Sequence, residues 1–202
     1  MRISADTLTE EDANYLLTAT IAPRPIAWIS SASTRGEVNL APFSAFAPIC
    51  NRPPTIVFSA GKKPNGMRKD TVLNVLSSKE FVINFLEEPL LHKMAQTTED
   101  LLSQGNEIRL VGLTPIQSHF VATPRIAECR VSMECRLSSH FEIGTTDIVF
   151  GEVLCVWIDS DILGSDGRPN LDKGYAPVGA LAVDYYVPCT KQAVRKVVVG
   201  KT

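Results

Sequence analysis

The chain has 202 residues, 45% hydrophobic and 21% charged, with a net charge of −2. That length suits one domain over 1–202 and lets a fold bury roughly 70% of its unfolded surface without a metal or disulfide staple. The near-neutral charge excludes a typical nucleic-acid binder, which needs a concentrated basic face, and no apolar run reaches membrane-spanning length.

Five cysteines, Cys50, Cys129, Cys135, Cys155 and Cys189, show no Cys-x-x-Cys pair and no metal spacing. Cys129, Val131, Met133 and Cys135 fall on one face of a period-2 run, so Cys129 and Cys135 read as small core residues. Asp6, Glu10, Glu11 and Asp12 stand too early for a secretory signal, so a cytoplasmic protein is expected.

In chain order, residues 4–18 read as a short helix with an acidic first turn and with Tyr15, Leu16 and Leu17 to bury. Pro23 and Pro25 force an extended entry into a strand over residues 26–30. A turn at residues 34–37 makes residues 38–41 the return arm of a hairpin, and Pro42 ends that strand or holds it at a sheet edge. Residues 43–48 read as an irregular or short segment of small residues. A strand follows over 55–59, then a Gly/Lys/Pro/Asn loop, a helix opening at Lys69-Asp70-Thr71, and a strand over 80–85.

Residues 88–104 predict one or two helices with Leu90, Leu91, Met94 and Ala95 buried. Residues 106–124 are mixed loop anchored by Leu110, Val111 and Leu113. Strands follow over 130–137 and 149–158, the latter interrupted at Gly151 by a bulge or close approach, then a turn at 165–169. A last strand carries Val183, Tyr185 and Val187, and Lys191, Arg195, Lys196 and Lys201 form a solvated edge or tail. Strands dominate without a βαβ rhythm. The fold class is therefore mainly β with inserted helices, closed as an antiparallel barrel.

The helix opening at residue 70 carries the strongest chemistry. A helix start presents unpaired N–H groups and a partial positive charge that suit a phosphate. Lys69 adds a full charge, and Thr71 and Ser59 add hydroxyl donors. Asp70 would repel a phosphate unless it turned inward to cap its own helix.

Pro23-Arg24-Pro25-Ile26-Ala27-Trp28-Ile29-Ser30, Asn39-Leu40-Ala41-Pro42-Phe43-Ser44, Pro53-Pro54, Lys69-Asp70-Thr71 and Glu80-Phe81-Val82-Ile83-Asn84 follow one another in a particular order. Further along stand Pro124-Arg125-Ile126-Ala127-Glu128, Met133-Glu134-Cys135 and Gly151-Glu152-Val153. The ordered set resembles the flavin reductase-like family of FMN-binding split barrels, in particular its flavoredoxin-like branch. The resemblance covers the chain from about Thr18 to Tyr186.

That resemblance implies FMN, with Ser59, Lys69 and Thr71 on its phosphate. Asn39, Ala41, Phe43 and Ser44 would line the ring, partly through backbone amides, and Arg24 and Ser30 would reach ribityl or ring oxygens. It also implies a homodimer with flavin at or beside the interface, and NADH or NADPH as donor. Flavin chemistry needs few protein side chains, so no acid–base residue is expected, and His92, His119 and His140 read as surface or partly buried. Trp28 reads as core.

Two-component reductases of this family often carry Gly-Asp-His before the Gly-Glu-Val strand. Here the region is Thr145-Thr146-Asp147-Ile148, and Ala180 stands where relatives often have arginine. These departures bear on direct use of NAD(P)H. They leave three readings: an NAD(P)H-dependent flavin oxidoreductase, an electron carrier with tightly held FMN reduced by a redox protein, and a non-catalytic FMN-binding module.

Overall fold

The main layer is a seven-stranded antiparallel sheet, in which burial alternates with period 2 along Pro54–Gly61 and the first half of Thr146–Ile158 while Ala27–Ala32 and Glu80–Phe85 are buried on both faces. The computed structural model describes residues 2–98, 107–181 and 185–190. In chain order the elements are α1 (Glu10–Thr20), β1 (Arg24–Pro25), β2 (Ala27–Ala32), β3 (Val38–Phe43), β4 (Phe46–Asn51), β5 (Pro54–Gly61), α2 (Asp70–Ser78), β6 (Glu80–Phe85), α3 (Leu91–Gln96) and α4 (Glu107–Leu110). They continue with β7 (Pro115–Ile116), β8 (Arg125–Ile126), β9 (Val131–Ile143), β10 (Thr146–Ile158), β11 (Val178–Ala180) and β12 (Tyr186–Pro188). Short 3₁₀ turns lie between several of them.

The large sheet runs β3-β2-β6-β9-β10-β5-β4, and β1, β11 and β12 form a smaller sheet. Its two edge strands curl toward each other. Phe43 of β3 meets Phe58 of β5 with ring centroids 5.2 Å apart, and Phe46 of β4 meets Phe85 of β6 at 6.1 Å. The enclosed core takes Ile29, Phe58, Phe81, Ile83, Cys135 and Val149 from the strands, with Val72 and Val75 of α2. Trp28, Leu40, Leu86, Met94, Ile126 and Val178 build a second core on the other face of the sheet. Trp28 is fully buried, its indole N–H donating to Thr97 Oγ1 at 3.0 Å.

The hairpin of β2 and β3, the strand at 80–85 and the break at Gly151 stand where the sequence puts them. Pro42 lies in β3, an edge strand, which tolerates a residue without an N–H. Gly151 lies at a register shift against β9, and a Cβ there would collide with the buried ring of Phe81.

Other expectations fail for identifiable reasons. Residues 46–51 form a strand, β4, paired with β5 through a register shift between Pro48 and Cys50, so the expected irregularity is confined to a bulge at the proline. Helix α1 has a capping box at Thr9 and Asp12 but no buried residue, so Tyr15 and Leu17 remain exposed. Ala95 and Leu110 are exposed, whereas Met94, Val111 and Leu113 are buried.

Cys129 and Cys135 are both buried, and burial pushes both thiols up. They sit in different cores, because the chain turns before β9 begins. The polar side of β9 is enclosed too, with Ser132 and Glu134 fully buried. The last strand holds Val187 but begins after Tyr185. Val183, the basic tail and residues 99–104 of the predicted second helix lie outside the described residues.

Candidate functional site

β5 ends where residues 62–69 leave the barrel wall, and α2 follows with its apolar stripe packed into the barrel. The connecting loop folds on itself: the N–H of Lys63 donates to Met67 O at 2.7 Å, and that of Gly66 to Lys63 O at 2.8 Å. Three of its four cations are committed. Lys62 pairs with Glu142 at 2.5 Å, and Lys63 reaches Asp70 at 2.8 Å. Arg68 pairs with Glu142 at 2.6 Å and Asp147 at 2.9 Å.

The fourth cation, Lys69, has no side-chain partner among the described residues, and it occupies the N-cap of α2 without a capping side-chain hydrogen bond. The N-cap side chain therefore makes no capping bond, and its ammonium has no partner among the described residues. Asp70 does not cap the helix as expected. It is the first helical residue, and Lys63 neutralises it through both carboxylate oxygens, each at 2.8 Å. The expected repulsion of an anion is thereby removed.

The structure groups most of the remaining candidates. Asn39 Nδ2 donates to Thr71 Oγ1 at 2.7 Å, joining β3 to the first turn of α2. Arg24 Nε donates to Ser44 Oγ at 3.4 Å, and its Nη1 donates to the carbonyls of Thr18 and Ile21 at the end of α1. The next residue, Ala45, accepts the backbone N–H of Ser59 at 2.9 Å. Between these groups Ala41 is half-buried on β3, on the same side of the strand as Asn39. The step from Asn39 to Phe43 covers about 13 Å at the usual rise of a strand. An anion-ready helix start thus lies at one end of an edge strand and a polar cluster at the other. The Phe43 ring packs in the core against Phe58, so only its backbone can serve a ligand.

Ser30 does not join this arrangement. It is fully buried, its hydroxyl donates to Pro124 O at 2.6 Å, and Asn84 Nδ2 donates to it at 3.3 Å. Asn84 Oδ1 also accepts from Ile126 N–H at 2.9 Å and Ser132 Oγ at 3.1 Å. Ser30 therefore fastens the 124–126 segment to the barrel wall. Strand alternation is the cause, because Ser30 shares the Trp28 side of β2 while Ser31 faces α2, accepting from Asn74 Nδ2 at 3.2 Å.

A polar plug beside the loop lies outside the residues that the sequence singles out for the site. His140 Nε2 lies 2.7 Å from Asp147 Oδ1, the oxygen that also takes Arg68, and the Asp147 side chain is only 1% exposed. Burial pushes the Asp147 carboxyl up, but the hydrogen bonds from His140 and Arg68 outweigh it and hold the group below its usual range. The available signal was an aspartate at an inward position of β10, in step with Val149 and Gly151. Glu134 is a second buried carboxylate. Burial opposes its charge, while N–H groups of His119 and Phe120 and the Trp157 indole N–H hold it ionised. It anchors the loop before β8 and makes no contact with the candidate residues.

A curled antiparallel barrel whose edge strands β3 and β4 do not pair with each other has the split-barrel architecture. The chain belongs to the flavin reductase-like family, whose domain description, "Flavin reductase like domain", matches residues 20–176. An uncharacterized protein of Aquifex aeolicus (strain VF5) is 39% identical over 180 residues, which cover 89% of this chain and 91% of that protein. The crystal structure of nitrilotriacetate monooxygenase component B from Bacillus cereus superposes with a TM-score of 0.89 at 32% identity, covering 95% of this chain and 96% of that one. The 2-nitrobenzoate 2-nitroreductase NbaA of Pseudomonas fluorescens gives 0.88 at 28% identity, covering 98% and 96%. Among the described residues, no helix is long and apolar enough to cross a membrane.

Proposed function

We propose that the protein is an FMN-dependent oxidoreductase that draws reducing equivalents from NADH or NADPH and passes them to flavin. The observation that carries this reading is Lys69 at the N-cap of α2, without a side-chain partner among the described residues, in a chain of this family. These residues fit a phosphate monoester: the first-turn N–H groups have no intrahelical acceptor, Lys69 supplies charge, and Asp70 is already neutralised. Thr71 and Ser59 complete the cradle, and Asn39 orients Thr71. Ala41 and the backbone of Phe43 and Ser44 line the ring, with Arg24 holding Ser44 in place. Bound FMN supplies the redox chemistry, while the protein binds, orients and excludes water.

The reductase and monooxygenase-component names of its structural relatives agree with this class of reaction. Steady-state oxidation of NADH and of NADPH with added FMN tests it, and stimulation over the protein-free rate by one of them is expected. No stimulation by either, with FMN still bound and reducible by a redox protein, would instead establish the electron carrier.

The active form in this reading is a homodimer. Tyr15 and Leu17 on α1 and Ile21 just after it stand exposed, on a helix with no fully buried residue. A second copy would cover them and shield the outer face of the flavin. Sedimentation over a dilution series should show a dimer that FMN tightens; a monomer with and without tightly bound FMN would contradict it.

A further inference from the structure

We propose that Asp147 is the positioning residue of the phosphate cradle, acting through Arg68 to make the site select FMN over unphosphorylated riboflavin. The inference rests on the phosphate reading of Lys69. Asp147 stands on β10 opposite Ala60 of β5, at the root of the 62–69 loop. Its Oδ1 takes two donors from different elements, Arg68 Nε of the loop at 2.9 Å and His140 Nε2 of β9 at 2.7 Å. Because an ionised carboxylate only accepts, a neutral His140 must carry its proton on Nε2. His140 thus holds the carboxylate to the barrel wall, and the carboxylate holds the loop.

Arg68 immediately precedes Lys69, so pinning its guanidinium fixes where Lys69 leaves the loop. The pin has no substitute within the loop, since Lys62 and Lys63 are held by Glu142 and Asp70. Asp147 Oδ2 is buried without a hydrogen-bond partner. Leaving a buried carboxylate oxygen unpaired costs stability, which favours a role for this group beyond packing. Glu142, far more exposed than Asp147, holds Arg68 only at a terminal nitrogen, so it limits the loop's excursion without setting its direction.

The test is a cycle of Asp147→Asn, Arg68→Gln and the double variant. Asn is isosteric with Asp and removes the charge, but its amide oxygen can still accept, so Asp147→Leu, which cannot, is measured beside it with near-ultraviolet circular dichroism as the check on the fold. Amide hydrogen exchange of residues 63–70 in flavin-free protein should accelerate in each single variant, with the rest of the barrel protected as before. Affinity for FMN should fall about tenfold, with riboflavin affinity unchanged and the double variant no worse than either single one. A merely structural role would lower both affinities together. Unchanged exchange overturns the tether. Accelerated exchange with an unchanged ratio of FMN to riboflavin affinity overturns the proposal through the phosphate reading itself.

Discussion

Lys69→Ala is expected to weaken FMN binding by about 1–3 kcal/mol, or roughly 5- to 150-fold, the range of a lost charge-assisted hydrogen bond. The melting temperature of flavin-free protein should not move. Lys69 makes no ion pair or side-chain hydrogen bond among the described residues, so its removal orphans nothing. Its neighbours give the contrast. Removing Lys63 would leave the Asp70 carboxylate beside the phosphate without its cation, so that variant should lose affinity by repulsion as well as by lost structure. If Lys69→Ala lowers stability while FMN affinity holds, Lys69 is structural and the phosphate lies elsewhere. Riboflavin, which lacks the phosphate, should be insensitive to the change.

Gly151→Ala should destabilise the fold by about 3 kcal/mol, the upper range for forcing one carbon into a filled core. In a chain of this size that is a melting temperature lower by roughly 6–12 °C. The ring of Phe81 stands where the new methyl would go, its Cε1 3.0 Å away, and Ile56 Cδ1 is at 3.3 Å. Phe81 has no room to retreat, being fully buried and in edge contact with Phe58 at 5.5 Å. Gly61, on the strand paired with β10, is the control. Nothing lies within 4 Å of a Cβ built there, so Gly61→Ala should leave the melting temperature within a degree or two of the parent. Equal tolerance of both changes would mean that the sheet repacks around residue 151.

What was legible from the residues follows how local the determining forces are. The hairpin of β2 and β3, the strand of residues 80–85 and the break at Gly151 were readable because turn residues and alternation act over a few neighbours. The family was readable because its motifs keep their order along the chain, and the start of α2 beside Lys69 was readable because a helix start is a local event. Asp70 was misread because its true partner, Lys63, depends on how a loop folds back. Ser30 was misplaced because one register position decides which face of β2 a serine occupies. Helix α1 was expected to bury Tyr15 and Leu17, yet an amphipathic helix does not say whether its own chain or another copy covers it. The plug of His140, Asp147 and Arg68 was invisible, since it joins a hairpin to a loop more than seventy residues away.

Residues 39–44, 59 and 69–71 are expected to form a site for a flavin carrying a phosphate. Equilibrium titration of the flavin-free protein with FMN and with riboflavin, followed by quenching of flavin fluorescence, tests it most directly. Saturable binding of FMN at one site per chain, at least about tenfold tighter than riboflavin, is the predicted result, since the phosphate contacts are worth a kcal/mol or more. Equal affinity for the two flavins, or no saturable binding of either, would contradict it.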